Sequence, residues 1–204
     1  MPSSTDNPRG RGIPLALAGL LAVLLAACAT APEVETTPTA SPLEISEAAK
    51  QRYQEALALM DAGLLEQAQV ILEEMTRDYP RLAGPHVNLG IIHRRSDRPV
   101  RAEQALRKAI ELRGDNPAAY NELGILYREL GRFEEAEAAY REALKIDPRY
   151  GLAHLNLGIL LDIYLQRPKE ALTHYETYQG LQEKPDKEVA LWIVDLKRRL
   201  DEKP

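Results

Sequence analysis

Apolar and small residues recur along most of this chain at a fixed interval of 34 residues. The triplet Leu-Gly-Ile occupies residues 89–91, 123–125 and 157–159, and the alanines at positions 102 and 109 return at 136 and 143. A period of this length, built from segments with helical spacing of apolar residues, is typical of stacked helix pairs. The pattern therefore predicts an all-α fold that offers an elongated binding surface rather than an enclosed catalytic pocket.

The interval divides residues 46–185 into units of 49–82, 83–116, 117–150 and 151–185, of which the last is one residue longer. Ser46 is a suitable cap for the first helix. Gly63 and Gly131 are expected to end the first helices of units one and three, because glycine readily adopts the left-handed conformation that a helix end needs. Pro99 and Pro168 are expected to begin the second helices of units two and four.

A further amphipathic helix is predicted within residues 186–204, beginning at Asp186. Its apolar side chains recur at helical spacing and are Val189, Trp192, Ile193, Leu196 and Leu200. Such a helix would cap the exposed apolar side of the last repeat. A partner-binding or dimerising helix is the alternative.

Residues 1–27 have the pattern of a secretory signal peptide. Arg9 and Arg11 precede an uncharged apolar run at residues 13–27. This run is shorter than the roughly 20 residues that a transmembrane helix needs. It ends in the sequence Leu-Ala-Ala directly before Cys28, which is the only cysteine.

This ending resembles the lipobox of bacterial lipoproteins. The resemblance implies cleavage before Cys28, acylation of its sulfur by two chains such as palmitate, and a lipid anchor in the membrane. Ala29 follows the cysteine in place of Asp, which by the same resemblance favours the outer membrane, with the protein facing the periplasm. An uncleaved anchor with an incidental cysteine is the alternative. Residues 28–45 are rich in Pro and Thr and lack an apolar period, so we expect a disordered tether.

The third unit resembles the tetratricopeptide repeat most closely. The matching residues are Tyr120, Leu123, Gly124, Tyr127, Ala136, Tyr140, Ala143 and Pro148. The similarity covers about residues 49–185 and implies a right-handed α-solenoid of about four helix pairs, whose first helices line a concave groove. The first unit departs from the pattern, with Glu55 and Ala56 in place of Leu-Gly, and the second has Gly114 in place of the usual proline.

The resemblance places a set of side chains in this groove, as candidate partner-binding residues. They are Tyr53, Leu57, Val87, Asn88, Ile91, Arg94, Asn121, Ile125, Arg128, Asn156 and Ile159. Tyr53 and Leu57 occupy the places where one subtype of the family clamps a peptide carboxylate, so that clamp is not expected. Asn88 and Asn156 resemble groove asparagines that pair with the backbone of an extended peptide. The alternative is that the isoleucines are packing residues and the asparagines make local bonds.

Composition and motifs argue against several other functions. The net charge of −5 and the aromatic content of 5% give no support to nucleic-acid binding. The sequence has no glycine-rich phosphate loop, His-Glu-x-x-His motif or Gly-x-Ser-x-Gly turn, so we expect no enzyme activity, cofactor or metal. His86 and His154 lie two repeats apart, roughly 20 Å if adjacent helices are about 8–10 Å apart, so we expect them to pack rather than to share a metal.

We therefore expect a membrane-anchored scaffold or adaptor of the bacterial envelope that binds a peptide or helix of an envelope protein. Its layout is similar to the pilotin lipoproteins of type IV pili, which help an outer-membrane secretin to assemble. An adaptor or regulator of peptidoglycan synthases or hydrolases is the second hypothesis, and a cell-wall enzyme is the third. The sequence leaves the oligomeric state open.

Overall fold

The computed structural model describes residues 46–202, which form nine α-helices and no β-strand. The predicted signal peptide, Cys28, the tether at residues 28–45 and the last two residues lie outside this part. None of the described helices is long and apolar enough to span a bilayer. The helices are α1 (Glu47–Asp61), α2 (Leu65–Asp78), α3 (Ala83–Arg95), α4 (Pro99–Leu112), α5 (Pro117–Glu129), α6 (Phe133–Ile146), α7 (Gly151–Ile159), α8 (Pro168–Leu181) and α9 (Lys187–Asp201).

The helices stack in chain order as four pairs followed by α9. The strongest contacts join α1 to α2, α3 to α4, α5 to α6 and α7 to α8, and each pair also contacts the next. The first helices α3, α5 and α7 touch one another in succession, more extensively than the second helices α4, α6 and α8 do. The first helices therefore lie on the inner side of the stack. This arrangement confirms the predicted all-α solenoid.

The glycine of each repeated triplet allows the two helices of a pair to approach closely. A Cβ atom on Gly124 would lie 2.5 Å from Cε1 of Tyr140, and one on Gly158 would lie 2.6 Å from Cε1 of Tyr175. Both tyrosine rings are fully buried. Any larger residue at these glycines would have to displace a ring in a close-packed layer.

The turns within the pairs use the left-handed backbone conformation in all four units. Gly63 and Gly131 have φ angles of 75° and 72°, as predicted. In the other two units the equivalent residues are Asp97 and Gln166, each with a φ of 54°. The predicted prolines begin α4 and α8. The sequence pattern therefore located all four turns, but it did not reveal that two non-glycine residues adopt this less favourable conformation.

A π-helix at Leu160–Tyr164 accommodates the extra residue of the fourth unit. It continues α7 directly, and the backbone N–H of Leu165 donates to the oxygen of Leu160 at 3.0 Å. Each hydrogen bond of a π-helix spans five residues rather than the four of an α-helix, so the turn absorbs one inserted residue and the chain returns to the repeat pattern after it. As a result, Gln166 and Arg167 take the places that Gly131 and Arg132 have in the third unit.

The last helix, α9, takes the place of a fifth first helix. The Asp186 side chain caps it by accepting bonds from the N–H groups of Glu188 and Val189. Val189 and Leu196 are buried, and α9 packs against α8. It thus covers the end of the fourth pair, as the capping interpretation predicts. Its outer side remains apolar, however, since Leu191 and Val194 are 70% and 65% exposed.

Candidate functional site

The predicted groove residues lie on the first helices α1, α3, α5 and α7. Ile91, Ile125 and Ile159 are half-buried, and their inner sides pack against the core. Val87, Asn88 and Asn121 are buried, whereas the other predicted residues are half-buried. The exposed parts of the isoleucines recur once per repeat along the inner side. Whether this surface binds a partner stays a prediction.

Two asparagines of this set bond to the neighbouring first helix. The Nδ2 atom of Asn88 donates to the hydroxyl oxygen of Tyr53 at 2.7 Å, and Nδ2 of Asn156 donates to Oδ1 of Asn121 at 3.0 Å. In each case the two partners are 35 residues apart. These bonds satisfy amide groups that burial would otherwise leave unpaired. Asn88 and Asn156 therefore join adjacent repeats, which is the local role left open by the sequence.

Ion pairs join neighbouring repeats at the other two interfaces of the inner helices, from α3 to α5 and from the π-helix after α7 to α9. Arg94 lies 2.7 Å from Glu129 and 3.3 Å from Glu122, and Asp162 lies 2.8 Å from Arg199 of α9. Burial raises the pKa of Glu122, against the opposing effect of Arg94. Together, the Tyr53–Asn88, Arg94–Glu122–Glu129, Asn121–Asn156 and Asp162–Arg199 contacts form what we call the first-helix ladder.

Glu122 has the repeat position of Asn88 and Asn156, yet it pairs differently. The residue that it would meet on the preceding helix is Val87, which offers no polar group. Glu122 instead accepts a bond from Arg94. The break in the asparagine pattern is therefore matched by an arginine on the neighbouring helix, so the two changes compensate.

A second set of polar contacts joins consecutive second helices. The arginine directly before each of α4, α6 and α8 reaches back to the preceding second helix, each at 2.8 Å: Arg98 to Gln69, Arg132 to Glu103, and Arg167 to Glu137. We call these three contacts the second-helix ladder. This ladder was not predicted from the sequence, although the interval of 34 or 35 residues between the arginines indicates it.

The middle contact of the second-helix ladder belongs to a larger network. Glu103 also accepts a bond from the hydroxyl of Tyr127 at 2.9 Å, and the guanidinium of Arg132 lies 4.1 Å from the centre of the Tyr127 ring. Burial raises the pKa of Glu103, but the bonds from Arg132, Tyr127 and Arg107 outweigh this effect and lower the pKa overall. This charge-assisted network joins the turn between α5 and α6, within repeat three, to α4 of repeat two.

An apolar pocket of about 190 Å³ lies at the α9 end of the first-helix surface. Its walls come from α7, the π-helix, α8 and α9, and the lining residues are Ile159, Asp162, Ile163, Tyr175 and Trp192. The rings of Tyr175 and Trp192 have their centres 5.6 Å apart. The pocket was not predicted from the sequence, although the extra residue of the fourth unit lies in the segment that forms part of its wall.

Arg128 lies near this pocket, on α5. Among residues 46–202 it has no carboxylate within ion-pair distance, and its Nε atom is buried without an acceptor. Burial raises the pKa of Tyr175, as does Asp162, while Arg199 and Arg128 oppose this effect. Arg128 has the same repeat position on α5 that Asp162 of the pocket wall has in the fourth unit, and α5 packs against α7. Its planar guanidinium is well suited to binding a carboxylate.

A histidine pair lies within the fourth repeat. Nδ1 of His154 is 2.9 Å from Nδ1 of His174, and Nε2 of His154 is 3.0 Å from the oxygen of Pro148. Because a carbonyl only accepts, Nε2 of His154 carries a proton and Nδ1 accepts one from His174. Burial and then the electrostatic effect of His154 lower the pKa of His174 to about 4. His154 thus has a packing role, with a partner that the sequence did not indicate.

The tetratricopeptide repeat model matches residues 81–149 and, in an overlapping match, residues 117–184. These two matches span just over half of the chain. The chain belongs to the tetratricopeptide repeat family. Domains of this family bind partner proteins in the concave groove formed by their first helices, and this is the surface that carries the three half-buried isoleucines.

Several solved structures share this tetratricopeptide repeat fold. The chain is similar to PilF of Pseudomonas aeruginosa, with 26% identity over 75% of this chain and 69% of that chain and a TM-score of 0.68. It is also similar to MamA, with 25% identity over 66% and 78% of the two chains and a TM-score of 0.57. An O-GlcNAc transferase mutant from Thermobaculum terrenum shares the fold over 64% of this chain and 25% of the enzyme, at 20% identity and a TM-score of 0.60. No curated protein matches the chain.

Proposed function

We propose that this protein is a lipid-anchored, non-enzymatic scaffold of the bacterial envelope that binds segments of partner proteins along its first helices. The observation that carries the proposal is the row formed by Ile91, Ile125 and Ile159. Each isoleucine packs against the core with one side and leaves the other exposed. A row of apolar side chains on a surface held in place by buried polar contacts is typical of a preorganised binding site.

The anchor is proposed from the sequence around Cys28. Two acyl chains on its sulfur would provide about 0.8 kcal/mol for each buried CH₂ group, which is sufficient for stable attachment. The Pro- and Thr-rich residues that follow would separate the repeats from the membrane. The residue after the cysteine is not Asp, which supports a location at the periplasmic face of the outer membrane.

We favour a pilotin-like role in type IV pilus or secretin assembly over a role with peptidoglycan enzymes. The support is the similarity to PilF of Pseudomonas aeruginosa over three quarters of this chain. The fold alone does not distinguish the two roles, because proteins of different function share it, among them a glycosyltransferase. We prefer the pilotin-like role because the identity to PilF is 26% and the similarity covers most of both chains.

Site-specific photo-crosslinking in cells tests the binding surface. A photoreactive amino acid at Ile125 should yield a defined crosslinked partner, whereas the same residue at Val100, which is 69% exposed on the second helix α4, should not. Ile125→Asp should remove the partner from a pull-down, with Val100→Asp as the matched control and circular dichroism as the test of folding. If the aspartate at 125 unfolds the chain, Ile125→Thr serves instead. Equal crosslinking from both positions would contradict the proposal.

The anchor and the pathway need separate measurements. Cys28→Ala should abolish fatty-acid labelling and release the protein from the membrane fraction. Deletion of the protein should reduce secretin multimers if the pilotin-like role is correct. Persistent labelling of the Cys28→Ala variant would refute the anchor, and normal multimers would refute the role.

A further inference from the structure

The pocket beside α9 is built from features that the other repeats lack. Positions 128 and 129 of the third unit hold Arg and Glu, whereas 34 residues later the chain has Asp162 and Ile163. Ile163 lies in the π-helix and is 58% exposed, and Trp192 of α9 is 39% exposed. The extra residue and the last helix together therefore replace a charged stretch of the first-helix surface with an apolar concavity.

The charges at the edge of this pocket are not balanced. Asp162 is half-buried and pairs with Arg199, which also pairs with Asp195; Arg198 pairs with Asp195 in turn, so these two acids and two arginines balance one another. Arg128, on the neighbouring first helix, has no carboxylate partner among residues 46–202. The edge of the pocket thus retains one positive charge, which a ligand with a negative group would complement.

We propose that the pocket and Arg128 form an anchor site for a partner segment that carries one large apolar side chain close to a carboxylate. The apolar side chain enters between Ile159, Ile163 and Trp192, and the carboxylate pairs with the guanidinium of Arg128. Aromatic and arginine side chains that become buried on binding dominate the energetics of many interfaces. The inference rests on the proposed scaffold function and specifies the chemistry of the segment bound.

The spacing of the two groups in the partner follows from helix packing. Adjacent helices lie about 8–10 Å apart, and an extended chain advances about 3.3 Å per residue. The carboxylate is therefore expected about two or three residues from the apolar side chain. A segment with this spacing but with an amide in place of the acid fills the pocket and leaves Arg128 unpaired.

Trp192 makes the proposal directly measurable, because it is the only tryptophan of the chain. The probes are three acetylated Ala/Ser peptides: one with a leucine and a glutamate three residues later, one with glutamine in place of the glutamate, and one with alanine in place of the leucine. Titrated into the full chain, the first should change Trp192 emission saturably. The glutamine peptide should bind about tenfold more weakly, and the alanine peptide should leave the emission unchanged.

Two variants assign the effect to Arg128. Arg128→Gln should remove the tenfold preference for the glutamate peptide while leaving the affinity for the glutamine peptide unchanged. Arg128→Lys should keep part of the preference. The matched control is Arg95→Gln, because Arg95 is an exposed cation on α3 that has no ion pair within residues 46–202. This control should keep the whole preference.

Three outcomes would overturn the proposal. The first is equal affinity for the acid and amide peptides, or a preference that survives in Arg128→Gln. The second is unchanged Trp192 emission with every peptide at millimolar concentration. The third is a dimer in sedimentation experiments that shields Trp192, which would assign the pocket to a second copy of the chain. If crosslinking at position 125 still captures a partner in these cases, the scaffold function remains supported, and only the proposed site formed by the pocket and Arg128 is refuted.

Discussion

The first-helix ladder and the second-helix ladder join the same repeats by different chemistry. The second-helix ladder repeats one arrangement three times, an arginine before a helix that reaches Gln69, Glu103 or Glu137 at 2.8 Å. The first-helix ladder changes at each step, from tyrosine with asparagine to arginine with glutamate and then to two asparagines. The repeated arrangement therefore lies on the outer helices, and the varied one lies on the inner helices.

This difference separates two tasks of the solenoid. Stacking requires a similar contact at every interface between repeats, so the same pair of residue types can be used each time. A binding surface needs different side chains at different positions, so its polar contacts must be satisfied one interface at a time. The compensating change of Glu122 and Arg94 illustrates this, since the polar partner changes along with the groove residue.

The glycines between the two ladders offer the strongest test of this comparison. Gly124→Ala should lower the free energy of unfolding by about 2–3 kcal/mol, because the added Cβ meets the rigid Tyr140 ring at 2.5 Å. Gly90→Ala should cost less, since Cγ of Leu106 belongs to a more flexible side chain. Urea denaturation measures both. In the control Gly180→Ala, which meets nothing within 4 Å, stability should stay equal or rise slightly. Equal losses at positions 124 and 180 would contradict this account.

The next test compares one contact from each ladder. Asn121 is 1% exposed, so Asn121→Ala should cost about 1–3 kcal/mol by leaving the amide of Asn156 without its acceptor. A double-mutant cycle of Asn121→Ala with Asn156→Ala should show a coupling larger than that of Gln69→Ala with Arg98→Ala, because the latter contact is more exposed. A larger coupling for Gln69 and Arg98 would reverse our assignment of the two ladders.

The smallest effect is expected from making the second-helix ladder uniform. Gln69→Glu would give Arg98 the same partner type that Arg132 and Arg167 have, and should add under about 1 kcal/mol of stability at low salt. Gln69 also donates to Glu73 at 2.6 Å, so the substitution is made together with Glu73→Gln, and Glu73→Gln alone is the control. Thermal unfolding should show a gain that disappears at about 1 M salt. A gain that persists at that salt concentration would mean that the charge is not its cause.

The sequence predicted the helix pairs and their turns because these depend on local and periodic signals. The triplet glycines, Gly63, Gly131 and the helix-starting prolines all act within a few residues of their own position. The bonds of Asn88 and Asn156 were not predictable in the same way. Their partners are 35 residues away and occupy a different repeat position, so identical residues at one position make unequal contacts.

The pocket was also beyond the sequence pattern. Its walls include Ile163 of the π-helix, which is exposed, and Trp192 of α9. Neither the backbone form that absorbs an inserted residue nor the position of the last helix follows from periodicity. Arg128 was identified as a groove residue, but its lack of an ion pair among residues 46–202 became visible only in three dimensions.

The π-helix has a consequence for how such a protein can change over time. Arg167 follows it and still reaches Glu137 at 2.8 Å, so the inserted residue leaves the stacking of the next helix intact. An insertion of one residue is therefore confined to a single turn of the inner surface. Repeats of this kind can acquire new local recognition features one residue at a time, without redesign of the rest of the array.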